Sequence, residues 1–492
     1  MQALSASHAA PIQPLPAGQA TCTVVPGFLS PEECRALVAA SEARGFQSAA
    51  SDYPRSYRTN DRQVLDDDAL AATLLARLRD ILPARLQLDA ASTLPWRPDS
   101  INARFRLCRY RPGQSFGLHQ DGVHHRGAAL RSALTFMVYL TDGECFVGGD
   151  TVFHDGGPGT PAREIGRVRP RAGSLILFDH ALWHAGETVT AGVKHVLRSD
   201  VLYRRDGVPD EQATGHRGYV WALQSLPGQR FASGGRDADI RVWTRHGACE
   251  ATLRGHRRSV LGLAALDDGR LASVSRDRSL RVWDVAAARC VVEVPDAHAG
   301  TPLAVVTLPH DRIATSGADG AIRLWTAAGL ACGDLEPAPD WVWSLAALPG
   351  GRLAAACEDG ALRVWDLDSL RCVATWPGDV PLRCVAASAD GSRLVAGDIH
   401  GRLTHRVADG GHWRIDRVDA VHAAAVRGVR FVGAGRVASV GEDGSVRLSS
   451  VDGGVARELG VHANFATDVL EVDGRLVSCG YDGRIRSLEL VA

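Results

Sequence analysis

The sequence predicts a mainly β protein with two domains, the first a jelly roll with N-terminal helices and the second a set of seven repeated units. Two observations carry this prediction. From about Gly215 the chain repeats one pattern at intervals of about 40 residues. The first half shows no repeat and changes from helical to strand patterns near Arg104. A length of 492 residues is enough for two large hydrophobic cores.

Composition and charge indicate neither a nucleic-acid partner nor a membrane. The net charge is −1, charged residues make up 23% of the sequence, and no apolar run approaches the roughly 18 residues that cross a bilayer. Residues 1–20 lack both a basic start and an apolar core, so they are predicted to be a flexible tail and not a secretion signal. Eleven cysteines without CxxC pairs favour reduced thiols and a cytoplasmic location.

Two helices are predicted ahead of the strands. The first covers "FLSPEECRALVAASEARG", in which apolar residues recur at helical spacing and Ser30 stands as the N-cap before Pro31 and Glu32. The second covers "DDALAATLLARLRDILP".

Eight short strands separated by Gly and Pro follow these helices. We predict them near residues 104–110, 115–119, 132–140, 149–153, 165–169, 174–178, 183–187 and 195–203. Eight strands after a helical layer predict a double-stranded jelly roll. We place this domain at residues 21–205 and a linker at residues 206–214.

Three potential metal ligands lie on these strands. His119 and Asp121 in "FGLHQDG" are two residues apart, so both side chains point to the same face of a strand. His184 in "LWHAGE" can complete a set of two imidazoles and one carboxylate, which is typical of non-haem Fe(II) oxygenases. The pattern HxD is weak by itself, and rival ligands are His124, His125, His154 and His180.

One lysine stands among 55 basic residues, in "TAGVKHVLRSD". By chance alone it would be a stray surface charge. The alternative is that position 194 needs a compact ammonium, which a planar guanidinium does not replace. Because successive side chains of a strand point to opposite faces, Lys194 lies on the same strand face as Arg198 and Asp200.

The N-terminal half resembles a known enzyme family through five segments in the family's order: "VPGFLSPEEC", "CRYRPGQSFGLHQDG", "LTFMVYLTD", "GGDTVF" and "RAGSLILFDHALWHAGETVTAGVKHVL". Over roughly residues 22–203 it is similar to the prolyl-hydroxylase-like branch of the Fe(II)/2-oxoglutarate-dependent dioxygenases. The resemblance implies Fe(II) held by His119, Asp121 and His184, 2-oxoglutarate as cosubstrate, and dioxygen as oxidant.

The resemblance also implies a cosubstrate site. Lys194 matches the basic residue that pairs with the remote carboxylate of 2-oxoglutarate, and Thr135, Tyr139 and Tyr110 match residues that hydrogen-bond it. Arg198 could assist the cosubstrate, hold a substrate carboxylate or form an ion pair with Asp200. Where the family has substrate-facing loops, this protein has "SYRTNDR", so the candidate substrate-binding residues are Arg58, Asn60 and Arg62. The alternative for this stretch is an ordinary polar loop.

The second half carries seven related segments: "RDADIRVW", "RDRSLRVW", "ADGAIRLW", "EDGALRVW", "IHGRLTHR", "EDGSVRLS" and "YDGRIRSL". Their second residues follow one another at gaps of 40, 42, 40, 41, 43 and 39 residues. This period, with a turn aspartate and a closing Trp, resembles the WD-repeat family and implies a seven-bladed propeller over residues 215–492. The family's hydrogen-bonded tetrad matches His256, Ser273, Asp277 and Trp283.

Two further expectations concern this second half. Four cysteines follow successive blade tryptophans by six or seven residues, which predicts a buried strand position for Cys249, Cys290, Cys332 and Cys372. The sequence ends four residues after Leu488, so the last blade is expected to lack an outer strand of its own, and only "VPDEQAT" before the first blade is available to supply it.

We expect the first domain to hydroxylate an aliphatic C–H bond. A peptidyl, prolyl-type side chain is the first-ranked substrate, with the propeller as a binding platform for the target or another protein partner. The alternatives are hydroxylation of a free amino acid or other small metabolite, and a non-enzymatic WD-repeat scaffold with a relic barrel. The intact ligand set and Lys194 argue against the scaffold.

Overall fold

The computed structural model describes residues 10–11, 22–49, 53–54, 57–88, 95–124, 129–157, 162–205, 215–409, 412–433 and 435–490. The protein forms two compact units, one of residues 1–157 and 161–213 and one of residues 158–160 and 214–492. The predicted linker 206–214 lies outside the described residues. Among the described residues, no helix is long and apolar enough to span a membrane.

In the described residues of the first unit, two α-helices lie at Pro31–Arg44 (α1) and Asp68–Leu78 (α2). Ser30 caps α1 in a capping box: its Oγ accepts the Glu33 N–H, and Glu33 accepts the Ser30 N–H at 2.8 Å. Asp67 caps α2 by accepting the Leu70 N–H. Both predicted helices are therefore present.

The strands of the first unit are Ala10–Pro11 (β1), Cys22–Val25 (β2), Gln47–Ser48 (β3), Asp61–Asp66 (β4), Trp96–Ile101 (β5), Arg104–Tyr110 (β6), Phe116–His119 (β7), Leu130–Tyr139 (β8), Phe146–Gly148 (β9), Thr151–His154 (β10), Glu164–Val168 (β11), Leu175–Asp179 (β12), Trp183–Gly186 (β13), Val189–Gly192 (β14) and Lys194–Arg205 (β15). In the described part of this unit they form three sheets. The largest sheet has the order β1-β2-β12-β8-β15-β6-β4-β3, with β5 also paired to β15; a second has the order β11-β10-β13-β7; and β14 pairs with β9.

The structure contains strands that the sequence does not predict. All of β1–β5 precede Arg104, and β9 and β14 lie between predicted strands. Ala10–Pro11 pairs with β2, and the rest of residues 1–20, for which a flexible tail is predicted, lies outside the described residues. The strands β1, β2, β3, β9 and β14 have only two to four residues, which is too short to show a period. The strands β4 and β5 have six residues each, and the prediction missed them.

The large sheet separates two hydrophobic clusters because successive side chains of a strand point to opposite faces. In β8, Phe136 and Val138 join a cluster with helix residues such as Leu74, whereas Tyr139 joins a second cluster with Phe116 and Phe178. The helices thus cover one face of the sheet. The functional residues described below lie on the opposite face.

Where the second unit is described, its strands form seven antiparallel sheets, each a meander of consecutive strands. Six have four strands and the last has three. Their bounds are Val220–Leu226 (β16), Arg230–Gly235 (β17), Ile240–Thr244 (β18), Cys249–Leu253 (β19); Val260–Ala265 (β20), Leu271–Ser275 (β21), Leu280–Asp284 (β22), Arg289–Val294 (β23); Pro302–Leu308 (β24), Arg312–Gly317 (β25), Ile322–Thr326 (β26), Ala331–Asp334 (β27); Val342–Leu348 (β28), Arg352–Cys357 (β29), Leu362–Asp366 (β30), Arg371–Trp376 (β31); Leu382–Ala387 (β32), Arg393–Asp398 (β33), Arg402–Asp409 (β34), His412–Ala420 (β35); Val426–Val432 (β36), Arg436–Gly441 (β37), Ser445–Ser450 (β38), Arg457–Val461 (β39); and Ala466–Val472 (β40), Arg475–Gly480 (β41), Ile485–Glu489 (β42).

The first strands of these sheets contact one another in a closed cycle, from β16 through β20, β24, β28, β32, β36 and β40 back to β16. At the closing contact, the Thr467 hydroxyl donates to the Val220 carbonyl at 2.6 Å, and the Leu223 N–H donates to Asp468 at 2.9 Å. The last sheet has three strands in the part of the protein that is described. The segment "VPDEQAT" lies outside that part.

The predicted tetrad is present in the second sheet. His256 lies 3.0 Å from Asp277 through Nδ1 and 2.7 Å from Ser273 through Nε2, and the Trp283 indole donates to Ser273 at 2.8 Å. Equivalent networks in the first and third sheets are centred on His216 and His298. These buried networks tie the loop before each sheet to its second and third strands.

The prediction that four regularly spaced cysteines are buried is wrong. Cys249, Cys290 and Cys372 are half-buried and Cys332 is exposed, because all four lie on the fourth, outer strand of a sheet. An outer strand repeats its position in every unit while one side remains in solvent. Regular spacing therefore indicates an equivalent position and not a buried one.

Candidate metal and cosubstrate site

Two neighbouring strands bring two histidines together. His119 on β7 is paired directly with His184 on β13, and their rings lie 4.1 Å apart between centroids. His119 Nδ1 contacts the Gly117 carbonyl at 2.8 Å, and His184 Nδ1 contacts the Leu182 carbonyl at 2.9 Å. Since each carbonyl accepts a hydrogen bond from Nδ1–H, the proton of each imidazole stays on Nδ1 and both Nε2 atoms are left with a lone pair for a metal.

Asp121 follows β7 and completes the set. Its carboxylate oxygens lie 3.6 Å from His119 Nε2 and 3.7 Å from His184 Nε2, and the three ligand atoms all lie within 4.8 Å of one another. Thr135 donates a hydrogen bond of 2.5 Å to Asp121, and Arg198 forms a close ion pair with the same carboxylate. Thr135 on β8 and Arg198 on β15 therefore hold the Asp121 carboxylate in place.

The electrostatics keep these groups in the forms that bind a cation. Burial and the neighbouring His119 lower the pKa of His184 to about 3, and burial lowers the pKa of His119. Burial raises the pKa of Asp121, but Arg198 and the two histidines outweigh it and hold that pKa well below its usual range. Two neutral imidazoles and one carboxylate result at neutral pH.

These residues fit Fe(II). His119 Nε2 is buried and has no hydrogen-bond partner among the described residues, which is unfavourable for a polar atom unless a ligand satisfies it. All three residues are at most 5% exposed. Two imidazoles and a carboxylate on one side of the metal are the donor set of non-haem Fe(II) oxygenases.

Lys194 lies in the pocket beside the histidines. It is 3% exposed, and its ammonium donates to the Gly149 carbonyl at 2.6 Å. The ammonium also lies 5.2 Å from the ring centre of Tyr110 and 5.4 Å from that of Tyr139. Among the described residues, no carboxylate lies within salt-bridge distance of it. The single lysine is thus a buried cation whose hydrogen-bond acceptor, the Gly149 carbonyl, is neutral. Its charge could therefore bind a carboxylate ligand.

The other predicted cosubstrate residues lie around this pocket with different contacts. Tyr110 lines it directly, whereas the Tyr139 hydroxyl donates to Thr151 at 2.6 Å. Thr135 is fully buried and contacts Asp121. The predicted roles of these residues toward 2-oxoglutarate stay predictions.

Arg198 lines the pocket and forms its ion pair with Asp121. The salt-bridge partner of Asp200 is Arg106, at 3.5 Å, and Asn102 also donates to Asp200 at 3.2 Å. The ion pair with Asp200 that was one alternative for Arg198 is therefore replaced by one with the metal-site carboxylate.

The candidate substrate residues separate into two groups. Arg58 is 4% exposed and lines the pocket, and its Nε donates to Asn60 at 2.5 Å. Asn60 is fully buried, and its amide also donates to the Asp61 carbonyl. Arg62 does not line the pocket, and its guanidinium lies 5.4 Å from the ring centre of Tyr53.

Several pocket residues were not predicted from the sequence as site residues. They are Cys108, Phe116, Met137, Thr151, Phe178, Ala185, Gly186 and Val196. All of them lie within the segments quoted for the family resemblance, for example Thr151 in "GGDTVF" and Cys108 at the start of "CRYRPGQSFGLHQDG", so the motifs contained a signal for them. Among the rival ligands that the structure describes, His124, His154 and His180 are not part of the metal cluster; His125 lies outside the described residues.

Comparison with known families agrees with this site. The model of the 2OG-Fe(II) oxygenase superfamily matches residues 105–199, which include the triad and Lys194. The model described as WD domain, G-beta repeat matches residues 209–244, 247–284 and 333–366. These matches define an oxygenase domain followed by WD repeats.

The curated proteins that this chain resembles include PKHD-type hydroxylases. One from Parvibaculum lavamentivorans is 31% identical over 185 residues, which is 35% of this protein and 80% of the relative. One from Klebsiella pneumoniae is 32% identical over 137 residues, 27% of this protein and 56% of the relative. One from Gluconacetobacter diazotrophicus is 27% identical over 180 residues, 34% of this protein and 72% of the relative. The chain therefore belongs to the 2OG-Fe(II) oxygenase superfamily, in the group of PKHD-type hydroxylases. It spans only about half the length of the Klebsiella proteins that it matches.

Proposed function

We propose that residues 21–205 form an Fe(II)- and 2-oxoglutarate-dependent hydroxylase that acts on an aliphatic C–H bond. His119, Asp121 and His184 hold the iron, and Lys194 holds the remote carboxylate of 2-oxoglutarate with help from Tyr110. The observation that carries this proposal is the meeting of three ligand atoms within 4.8 Å in a pocket that Lys194 also lines.

Bound iron and 2-oxoglutarate would supply the chemistry, which is an oxygen-dependent oxidative decarboxylation of the cosubstrate to succinate and carbon dioxide that would provide the oxidant for the C–H bond. The residues of the protein bind and orient. The Gly117 and Leu182 carbonyls fix the two imidazoles, and Thr135 fixes Asp121. Lys194 orients the cosubstrate through a charge-assisted contact. Phe116 and Phe178 exclude water from this side of the sheet.

We further propose that the four-stranded sheet β11-β10-β13-β7 and the central strands of the large sheet are the two halves of a jelly roll. The seven sheets of residues 215–492 are proposed to be the seven blades of a closed propeller. Their support is the cyclic contact of the first strands and the hydrogen bonds from Thr467 and Leu223. The propeller serves as a platform for a protein partner or for the target of hydroxylation.

A peptidyl, prolyl-type side chain is the substrate class that we propose first. Its support is the similarity to the prolyl-hydroxylase-like branch and the presence of a second domain with a binding architecture. An isolated first domain would then keep turnover on short peptides and lose it on whole protein targets.

The test is succinate formation from 2-oxoglutarate by anaerobically reconstituted Fe(II) protein after oxygen is admitted. We expect slow succinate release that His184→Ala abolishes. The matched control is His154→Ala, which removes a histidine that is not part of the metal cluster, and it should retain the activity. Equal succinate release by His184→Ala and the wild type would overturn the proposal.

A further inference from the structure

Three cations line the pocket beside the metal triad: Arg58, Lys194 and Arg198. None of the described residues that line it is a carboxylate. The proposed function gives Lys194 a partner in the remote carboxylate of 2-oxoglutarate, and Arg198 already contacts Asp121. Arg58 has no such partner.

Polar and aromatic groups surround Arg58, but none of these neighbours carries a negative charge that balances its guanidinium. The guanidinium lies 4.2 Å from the ring centre of Phe116 and 5.5 Å from that of Tyr53. Its Nε donates to the Asn60 amide oxygen at 2.5 Å, and one terminal nitrogen lies 3.3 Å from Cys108 Sγ. Within the described part of the protein, no carboxylate reaches Arg58. A buried cation without a counter-charge is costly, so a partner from outside the protein is expected.

The same contacts fix the direction of the guanidinium. Asn60 is fully buried and anchors Nε, and one terminal nitrogen contacts Cys108, which lines the pocket together with Arg58. Phe116, on which Arg58 stacks, is itself stacked on His119 at 3.7 Å between centroids. Arg58 is therefore held one aromatic ring away from the metal triad. A planar fork held in this way matches a carboxylate in two-point geometry.

A charge count points in the same direction. Asp121 and one carboxylate of 2-oxoglutarate balance the two positive charges of Fe(II), and the second carboxylate balances Lys194. Arg58 remains without a carboxylate in this buried pocket, and Arg198 shares Asp121 with the metal. One further anion in this pocket would lower the electrostatic cost.

We propose that Arg58 binds a carboxylate of the substrate, so that the substrate is an acid whose carboxylate lies close to the carbon that is hydroxylated. The carboxylate has two sources: a terminal acid group, in a small molecule or at the C-terminus of a peptide, or an acidic side chain within a peptide. This inference rests on the proposed function, because that function assigns Lys194 to the cosubstrate. Arg58 is then a positioning residue that sets specificity.

The test uses acetate as the probe and acetamide as its uncharged counterpart. Each is added to full-length Fe(II) protein saturated with 2-oxoglutarate without oxygen, and broadening of the probe's methyl proton resonance by the paramagnetic iron is measured. We expect broadening of acetate but not of acetamide. In Arg58→Met the acetate affinity should fall by about ten- to hundredfold, the usual strength of a charged hydrogen-bonded contact. The acetate affinity of Arg58→Lys should lie between those of the wild type and Arg58→Met, because lysine keeps the positive charge but lacks the planar guanidinium with its paired donors.

Controls separate this effect from a folding defect. Arg104→Met removes an exposed arginine that pairs with Asp66 at the surface and should behave like the wild type. The affinity of Arg58→Met for 2-oxoglutarate should be unchanged; if that variant does not fold, Arg58→Lys decides. Equal broadening in wild type and Arg58 variants, equal broadening by acetamide, or loss of acetate binding only in Arg198→Met would overturn the inference.

Two competitors identify the source of the carboxylate. Displacement of acetate by N-acetyl-L-proline supports a terminal acid group. Displacement only by an acetylated and amidated peptide with an internal glutamate supports an acidic side chain. If neither displaces acetate, the site accepts only a small anion and the substrate role is contradicted. A wild-type protein that fails to bind 2-oxoglutarate contradicts the proposed function instead, so the two failures are distinguishable.

Discussion

Lys194 donates its ammonium proton to the carbonyl oxygen of Gly149 at 2.6 Å. Gly149 has a φ of 72°, and a Cβ at this position would meet Phe146 and Val189 at 3.0 Å, so the backbone approaches the lysine at a point where only glycine is unstrained. A neutral carbonyl holds the ammonium in place without neutralising it. The charge of Lys194 therefore remains for a carboxylate ligand.

Replacing Lys194 with Met should lower the affinity for 2-oxoglutarate by about ten- to hundredfold, because a charge-assisted contact is lost. Iron binding should be largely kept, since Lys194 is not a ligand. Anaerobic calorimetry on the iron-loaded variant measures both. Unchanged affinity for 2-oxoglutarate would refute the role of Lys194.

The affinity for 2-oxoglutarate should also depend on pH. Burial lowers the pKa of Lys194 to about 8. Below that pH the free protein presents an ammonium, whereas above it a proton must be taken up on binding. The affinity should then fall about tenfold for each further pH unit. In Lys194→Arg the decline should disappear, because a guanidinium keeps its proton; the same decline in both proteins would point to another group.

Thr135→Val should weaken iron binding by about ten- to hundredfold, the usual effect of removing a hydrogen bond to a metal ligand. The Thr135 hydroxyl donates to Asp121 at 2.5 Å, and valine keeps the shape but not the donor. Thr135→Ser should restore most of the affinity. Equilibrium dialysis against Fe(II) without oxygen measures the difference, and wild-type affinity in the valine variant would show that this hydrogen bond does not position Asp121.

Thr467→Val should destabilise the second unit by about 1–2 kcal/mol, because it removes the hydrogen bond to Val220 that joins the last sheet to the first. Nine of the eleven tryptophans lie in residues 215–492, so tryptophan fluorescence during urea unfolding reports mainly on this unit. Thr252→Val, at a half-buried position on the outer strand β19, is the control and should change stability by less than about 0.5 kcal/mol. An equal effect of the two substitutions would contradict closure at Thr467.

The features predicted well from the sequence are those that depend on short-range patterns. The period of about 40 residues and the capping signal at Ser30 require only local spacing, and both agree with the observed sheets and helix α1. The HxD spacing places His119 and Asp121 on one side of the backbone. The order of motifs indicates His184, and the structure pairs it directly with His119.

The features that the sequence could not predict depend on which strands become neighbours. Thr135 on β8 of the large sheet contacts Asp121, which follows β7 of the four-stranded sheet. Arg106 is the partner of Asp200 because β6 pairs with β15. Spacing places Cys332 at an equivalent position in its repeat, but it cannot show that the position is exposed. The burial of Arg58 likewise follows from its packing on Phe116.

The central claim is that the triad and Lys194 form one site for Fe(II) and 2-oxoglutarate. The most direct measurement is the binding stoichiometry of both in the absence of oxygen, for the wild type, His119→Ala and Lys194→Met. We predict one iron and one 2-oxoglutarate per wild-type molecule, loss of both in His119→Ala, and retention of iron with weakened 2-oxoglutarate in Lys194→Met. Two results would contradict the claim: binding of one iron per molecule of His119→Ala, or binding of 2-oxoglutarate that neither substitution changes.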